Sequence, residues 1–168
     1  QSFVPDEDQG YFLTQVQAPA GASLQYTAGI AERAEQLFLK DPDVLAVFSV
    51  MGFSFSGAAP NQGIIFVRLK SFADRPGAAH SAQTVLGRLM PKLSAVPGAI
   101  IVGCSPPSIP GLSRFGGFEF QVLDQSGTDI STLSRGAFGV MGAAAQSHLV
   151  RNVFTAFTAN DPQLVVTV

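Results

Sequence analysis

The chain has few charged residues. Only 13% of its 168 residues are Asp, Glu, Lys or Arg, about half of the roughly 25% that is usual in soluble domains, whereas 46% are apolar. We therefore expect much of the surface to contact protein or ligand. With 10 basic and 12 acidic residues the net charge is -2, so no basic footprint favours nucleic acid or an anionic membrane as a partner.

Features of disulfide-linked and membrane-spanning chains are missing as well. Cys104 is the only cysteine, which excludes a disulfide bond within the chain. No apolar run reaches the ~18 residues that a membrane-spanning helix needs, and no signal-peptide pattern is present, so we expect the segment to be soluble. Because it starts at Gln1 and stops on the apolar run LVVTV, we interpret it as a piece of a longer protein.

Signatures of catalysis and metal binding are also absent. His80 and His148 are the only histidines, and neither lies in a spacing typical of metal ligands, so we expect ordinary polar positions. GFSFSG (52–57) differs from a nucleophile elbow because Ser56 occupies its final glycine position. The acidic run DED (6–8) is more typical of a solvated linker than of a cation site. The sequence therefore predicts a protein that is not an enzyme, with no metal and no cofactor.

Hydrophobic periodicity predicts six elements in the first part of the chain. Strands are predicted at 11–17, 44–51, 63–70 and 99–103, and helices begin at Ser23 and Ser81. The apolar stripes of the two helices are Tyr26, Ile30, Ala34, Leu37 and Phe38 in the first, and Ala82, Val85, Leu86, Leu89 and Leu93 in the second. The order βαββαβ is that of a ferredoxin-like α+β subdomain. The glycine-, serine- and proline-rich residues 52–62 predict a loop between the second and third strands.

The second part of the chain repeats this pattern without completing it. SPPSIPGLSRFGG (105–117) is typical of a linker. A strand at 117–124, a helix after it and strands at 152–158 and 163–168 then give βαββ, a truncated second subdomain. We expect two domains, 1–107 and 108–168. A half-finished sheet exposes an apolar face and an unpaired edge, which predicts self-association or exchange of elements between chains.

Phenylalanines cluster around the predicted loop. Phe48 and Val50 precede it, Phe53 and Phe55 lie within it, and Phe66 follows on the next strand. Such rings can converge on one wall and accept apolar ligands of different shapes, because aromatic faces offer large contact areas with few directional demands. The alternative is that Phe48 and Phe66 are ordinary core residues, or that the rings pack against a neighbouring protomer in a structural interface module.

Binding of RNA is a further alternative, because ferredoxin-like sheets carry the RNA recognition motif. The third strand matches its signature at Gly63, Phe66 and Val67. Two positions that should present stacking aromatics hold Ile64 and Leu69 instead. Together with the negative net charge, this disfavours a nucleic-acid partner.

Four stretches resemble one known family: FVPDEDQGYFLTQVQAPAGAS, VFSVMGFSFSG, NQGIIFVRLKSFADRPG and GFEFQVLDQSG. The sequence is similar to the C-terminal periplasmic loop of resistance-nodulation-division efflux transporters of the hydrophobe/amphiphile branch. The likeness covers essentially the whole chain. It implies that residues 8–107 are the first C-terminal porter subdomain and that residues from 113 onward are the first half of the second.

The resemblance also implies roles for individual residues. In that family, aromatics of the deep pocket and the switch loop fall at Phe48, Phe53, Phe55 and Phe66. Gly52 and Gly57 would be the hinges of the switch loop, and Leu13 would line the outer access pocket. The chain departs from the family at four positions, where aromatic and acidic pocket residues are replaced: Val102, Cys104, Pro106 and Gly111.

The partners implied by the resemblance belong to an intact pump. Such a pump is a homotrimer in the inner membrane, driven by protons, that works with a periplasmic adaptor and an outer-membrane channel to export amphiphilic small molecules. This segment would be part of its periplasmic region. Transport of a dedicated lipid or signalling molecule is an alternative within the family, whereas metal efflux is disfavoured because the three methionines form no cluster.

Overall fold

The computed structural model describes residues 7–54, 57–106, 120–125, 127, 129–147, 150, 153–155 and 157. The chain divides into two compact units, Gln1–Gly117 and Phe118–Val168. The domain boundary expected between residues 107 and 108 lies outside the described residues.

The first unit has the predicted ferredoxin-like order. Its strands are β1 (Tyr11–Gln17), β2 (Val44–Ser54), β3 (Gly57–Leu69) and β4 (Ile100–Cys104), and its helices are α1 (Leu24–Leu39) and α2 (Ala82–Ser94), with a short 3-10 turn at Ala78–His80. The sheet order is β2-β3-β1-β4, and all three pairings are antiparallel. The α+β fold class predicted from the sequence is therefore confirmed.

The core lies between the sheet and the two helices. Side chains alternate along β1, so Phe12 and Val16 point to the helices, where both are fully buried. The Phe12 ring meets Phe38 of α1 edge-on, with 5.9 Å between ring centroids. Ile65 and Val67 of β3 complete the same layer. These residues lie on one face only, and no helix among the described residues of this unit packs on the opposite face of the sheet.

Both helices of the first unit begin where the sequence predicts. The hydroxyl oxygen of Ser23 accepts a hydrogen bond from the Tyr26 N–H, and that of Ser81 accepts one from the Thr84 N–H. All five residues of the predicted α2 stripe are buried, and α2 continues through Pro91 to Ser94. The predicted α1 stripe is confirmed at Ile30, Ala34 and Phe38, which are buried, and at Leu37, which packs on the core. Tyr26 is exposed instead, and the unpredicted Thr27 and Ala31 are buried.

The predicted loop at 52–62 is wrong, since strand structure continues through most of it. β2 extends to Ser54 and β3 begins at Gly57, so only residues 55–56 separate them, and these lie outside the described residues. Two features make strands possible despite the turn-like composition. The Ser54 hydroxyl donates to the Gln62 side-chain oxygen, and β3 pairs with β1 as far as Gln17 opposite Gln62.

The second unit contains one described helix, α3 (Ile130–Gln146), capped by the Asp129 carboxylate, which accepts from the Thr132 N–H. This helix confirms the one predicted there from Ile130, Leu133, Ala137, Val140, Met141 and Ala144. The strand predicted at 117–124 is not formed in its described part, 120–124. A strand needs a hydrogen-bonded neighbour, and no described residue of this unit supplies one. Of the strand predicted at 152–158, residues 153–155 and 157 are described and carry no strand structure; the one at 163–168 lies outside the described residues.

Candidate functional site

The candidate site is the face of the sheet that the helices leave uncovered. Register fixes its membership, because residues paired across antiparallel strands project to the same side. Leu13 pairs with Phe66 on one side and with Cys104 on the other, and Phe66 pairs in turn with Phe48. One row across all four strands therefore reads Phe48, Phe66, Leu13 and Cys104. We call this surface, with the rows beside it, the open face.

Two phenylalanine rings form the part of the open face on β2 and β3. The ring centroids of Phe48 and Phe66 lie 6.0 Å apart at an angle of 41°, a geometry that aromatic pairs favour. Phe48 is 66% exposed and Phe66 is 37% exposed. The alternative that they are core residues is therefore wrong within this unit: strand alternation points both rings away from the helices.

An apolar depression of about 410 Å³ lies beside these rings. It falls within the range of about 300–1,000 Å³ that is usual for small-molecule sites. Its wall consists of nine residues of β1, β2, β3 and the turn before β1: Gln9, Gly10, Tyr11, Ala46, Val47, Phe48, Phe66, Val67 and Arg68. The depression is shallow and open to solvent.

Tyr11 and Arg68 are members of this wall that the sequence interpretation missed. Both belong to the open face because Tyr11 pairs with Arg68 directly. The signal was present in the alternation, since Tyr11 stands two residues before Leu13 and Arg68 two residues after Phe66. Their contribution is a phenol and a guanidinium at the rim of an otherwise apolar wall.

The remaining expected site residues are distributed along the same face. Leu13 is buried, with 6% of its surface exposed, whereas Val50 is half-buried opposite Ile64. Phe53 is 51% exposed and pairs with Ala58 near the end of the β2–β3 hairpin. Neither Leu13, Val50 nor Phe53 lines the 410 Å³ depression. Phe55 lies outside the described residues.

The two glycines expected as hinges flank the end of the hairpin. Gly52 has φ of 81° and Gly57 has φ of 136°, both in the region that favours glycine. Gly52 also stands at a break in register, because Met51 pairs with Gly63 but Phe53 already pairs with Ala58. The hairpin end is therefore connected to the sheet through backbone conformations that other residues adopt only with strain.

The open face also contains a buried polar group without a partner. Gln15 pairs with Ile64 and Val102, and only 4% of its surface is exposed. Its side-chain nitrogen makes no hydrogen bond to any residue that the structure describes, although a buried amide that stays unpaired destabilises the fold by about 1–3 kcal/mol. Thr14, its neighbour on the helix side, is in the same state.

The buried charges of this unit lie away from the open face and form structural ion pairs. Arg88 of α2 reaches Asp41 Oδ1 at 2.5 Å and Asp43 Oδ2 at 2.6 Å, and His80 Nδ1 lies 2.8 Å from the same Asp43 oxygen. Burial is the largest effect on both carboxyl groups and opposes their ionisation. The hydrogen bonds and positive charge of Arg88, with the Asp43 N–H at Asp41 and His80 at Asp43, together outweigh it and keep both pKa values below 3.8. His80 is thus a polar residue with a structural partner; His148 lies outside the described residues.

The acidic run DED was predicted to be a solvated linker, and for Asp8 this prediction is wrong. Its carboxylate accepts hydrogen bonds from Arg75 and from the N–H groups of Gly10 and Ala82. The prediction missed this contact because Arg75 is 67 positions away along the chain and approaches Asp8 only in the folded structure. Among the described residues, no group of three or more His, Cys, Asp or Glu side chains could hold a metal ion.

Within the described ranges, no helix combines the length and the apolar character that crossing a membrane requires. The first unit is thus a ferredoxin-like α+β module with two helices on one face and an aromatic, largely apolar surface on the other. Comparison with known proteins places this module in a family.

The chain belongs to the AcrB/AcrD/AcrF family, whose sequence model matches residues 1–168. Similar proteins include the multidrug export protein AcrF of Escherichia coli strain K12, 38% identical over 147 residues, and the multidrug resistance protein MdtF of the same strain, 34% identical over 148 residues. The toluene efflux pump membrane transporter TtgB of Pseudomonas putida is 29% identical over 169 residues.

These alignments cover most of this chain but little of the relatives. AcrF is matched over 86% of this chain and 14% of its own length, MdtF over 87% and 14%, and TtgB over 99% and 16%. The chain therefore spans about one seventh of the curated relatives it matches. The resemblance to resistance-nodulation-division efflux transporters drawn from the sequence motifs is confirmed at the level of the family.

Proposed function

We propose that this chain is the substrate-binding porter region of a proton-driven multidrug efflux pump and that it binds amphiphilic compounds on its open face. The observation that carries the proposal is the pair of exposed rings, Phe48 and Phe66, beside an apolar depression of about 410 Å³. Exposed aromatic pairs are unfavourable in water, and covering their surface contributes about 25 cal/mol per Å².

The geometry supports a promiscuous site. The wall beside Phe48 and Phe66 is apolar apart from Gln9, Tyr11 and Arg68, so it makes few directional demands on a ligand. Leu13 and Val50 extend the same face. Such a site binds and releases compounds and performs no reaction on them, so the segment acts as a transporter part and not as an enzyme.

The hairpin end supplies the movable part of the proposed site. Gly52 and Gly57 act as hinges that let Phe53 move relative to the sheet, and their positive φ angles support this role. In the intact pump we place this region in the periplasm, in a homotrimer with an adaptor and an outer-membrane channel. The isolated chain self-associates through the apolar surface that its pump partners would cover.

The proposal is tested by ligand binding to the 168-residue chain. Titration with the neutral fluorescent probe N-phenylnaphthylamine should give weaker binding for Phe48→Ala and Phe66→Ala, by about tenfold each, because each substitution removes roughly 1.5–3 kcal/mol of apolar contact at most. Leu39→Ala is the matched control, since Leu39 is an exposed apolar residue of α1 on the other side of the sheet.

In the full-length transporter, the same substitutions and Phe53→Ala should lower resistance to several unrelated amphiphilic drugs. Unchanged probe binding together with unchanged resistance would contradict the proposal.

A second candidate function is a structural subunit interface. The 66% exposure of Phe48 suits a protein contact as well as a ligand. Sedimentation of the variants separates the two: a structural interface predicts that Phe48→Ala and Phe66→Ala shift the chain toward monomer without changing probe affinity. The proposed site predicts the loss of probe affinity at protein concentrations where the chain is monomeric.

A further inference from the structure

We propose that Arg68 gives the open face a preference for anionic amphiphiles, that is, flat apolar ring systems that carry a carboxylate or a sulfonate. The inference deepens the proposed function and rests on it, because it assigns a ligand charge to the same depression. It assigns to Arg68 the role of a specificity-determining residue.

Strand register places Arg68 beside the aromatic pair. Arg68 stands two residues after Phe66 on β3, on the same side of the sheet, at a spacing of about 6.5 Å along the strand. It pairs with Tyr11 of β1 and with Ala46 of β2, and all three residues line the depression. A ring that stacks on Phe48 and Phe66 can therefore direct a substituent of one or two bonds' length toward the guanidinium.

Arg68 is a free cation within the part of the chain that the structure describes. It makes no hydrogen bond or ion pair there, and no carboxylate lines the depression. Along the chain, Glu7 and Asp8 precede the first lining residue, Gln9, and both Asp8 oxygens accept from Arg75. Asp74 follows Arg68 by six residues, and its carboxylate accepts from the Ser71 hydroxyl. The contrast with Arg75 and Arg88, whose guanidinium groups are bound by carboxylates, marks Arg68 as available to a ligand.

The chemistry of the guanidinium selects the ligand class. Arginine stays charged throughout the physiological pH range and offers parallel N–H donors that match the oxygens of a carboxylate or sulfonate. The site is open to water, where ion pairs are weak. The expected preference is therefore about three- to tenfold in affinity, enough to bias selection among amphiphiles without excluding neutral ones.

Two probes that differ only in charge test this inference. Anilinonaphthalenesulfonate and N-phenylnaphthylamine share the same ring system, but only the first carries a sulfonate. Titrated against the 168-residue chain, Arg68→Gln should weaken binding of the sulfonate probe by about three- to tenfold and leave binding of the neutral probe unchanged. Arg68→Lys keeps the charge but loses the planar fork, so its affinity for the sulfonate probe should lie between those of the unsubstituted chain and Arg68→Gln. Added salt should weaken binding of the sulfonate probe only.

A second basic groove on the same unit provides the matched control. Arg33, Lys40 and Lys92 line a depression between α1 and α2, on the side of the sheet that the helices cover. Arg33→Gln removes the same chemical group as Arg68→Gln, so it should change neither affinity. If Arg33→Gln weakens the sulfonate probe and Arg68→Gln does not, the anionic site lies in that groove and the inference is overturned.

The outcomes also separate this inference from the proposed function. If Phe66→Ala abolishes binding of both probes and Arg68→Gln changes neither, the apolar site is supported and the charge preference is overturned. If the unsubstituted chain binds the neutral probe but not the sulfonate probe, the apolar site is likewise supported and the charge preference is overturned. If Phe48→Ala and Phe66→Ala leave the binding of either probe unchanged, both the proposed function and the inference are overturned.

Discussion

Arg75 and Asp8 form a two-point ion pair that connects the segment before β1 to the segment after β3. Arg75 Nη1 lies 2.7 Å from Asp8 Oδ2, and Arg75 Nη2 lies 3.0 Å from Asp8 Oδ1. Only 1% of the Arg75 side chain is exposed, and two of its three remaining N–H groups donate to the carbonyl oxygens of Lys70 and His80. The same Asp8 carboxylate accepts the first N–H of α2, that of Ala82. One carboxylate thus neutralises a buried cation and caps a helix.

Removing that carboxylate should destabilise the first unit strongly. In Asp8→Asn the Arg75 guanidinium remains buried without a counter-charge, and such changes cost about 3–5 kcal/mol when both partners are buried. Because Asp8 itself is partly exposed, we expect about 2–4 kcal/mol, measured as the free energy of unfolding in urea. Asp74→Asn is the matched control. Asp74 is exposed, and among the described residues its carboxylate accepts a hydrogen bond only from the Ser71 hydroxyl. A change of similar size there would refute the special role of Asp8.

The ion pair should also make stability depend on pH in the acid range. The hydrogen bonds from Arg75 lower the pKa of Asp8 from 3.8 to about 2. A carboxyl group whose folded-state pKa is depressed contributes stability above its unfolded-state pKa and loses it as the pH falls through the folded-state value. The contribution, about 2 kcal/mol, should therefore be complete above pH of about 4 and disappear towards pH of about 2.

Urea unfolding of the parent chain and of Asp8→Asn at several pH values checks this expectation. Asp41 and Asp43, whose pKa values are also lowered, contribute equally to both proteins. The difference in unfolding free energy between the two proteins should therefore shrink as the pH falls from about 4 to about 2. A difference that stays constant over this range would show that the Asp8 carboxyl does not titrate in the folded state as its contacts require.

Local sequence signals predicted most of the first unit. The alternation of YFLTQVQ predicted β1 at Tyr11–Gln17 with its bounds, and Ser23 and Ser81 marked both helix starts. The hairpin was different, because glycine, serine and proline at 52–62 favour a loop by local preference. What keeps β3 extended there is its pairing with β1 along Gln62 and Gly63, a contact between segments about 45 residues apart along the chain. Tertiary contacts of this kind cannot be predicted from the local sequence.

The candidate site was predictable to the extent that strand alternation governs it. Phe48 and Phe66 were expected to share a wall, and the register brings their rings together. Tyr11 and Arg68 could have been added by continuing the same alternation two residues further along each strand. The pairing of Asp8 with Arg75 could not be predicted in this way, because it joins residues 67 positions apart and depends on how the loop after β3 folds back. Long-range charge contacts need the structure.

Gly52 and Gly29 should respond in opposite directions to alanine. Gly52 has a positive φ of 81°, and a Cβ there would lie 3.3 Å from Leu24 Cδ1, so Gly52→Ala should cost about 1–2 kcal/mol of unfolding free energy. Gly29 lies inside α1, and the Cβ that alanine would add there meets nothing within 4 Å, so Gly29→Ala should stabilise by about 0.5–1 kcal/mol. Chemical denaturation measures both. If Gly52→Ala proves neutral, the left-handed backbone at the proposed hinge is not required.

Cys104 should be protected from thiol reagents in the folded chain. It is 8% exposed, lies opposite Leu13 on the open face, and burial raises the pKa of its thiol to about 11. Both effects slow alkylation, since the thiolate is the reactive form and the sulfur must also be reached. At pH of about 8, iodoacetamide should therefore react at least about a hundredfold more slowly with the folded chain than with the chain unfolded in urea. The exposed surface position Ser94→Cys, introduced in a Cys104→Ala background, is the control and should react quickly in both states. Rapid alkylation of Cys104 in the folded chain would show that the row from Phe48 to Cys104 opens at the β4 edge, and the ligand surface would then extend across all four strands.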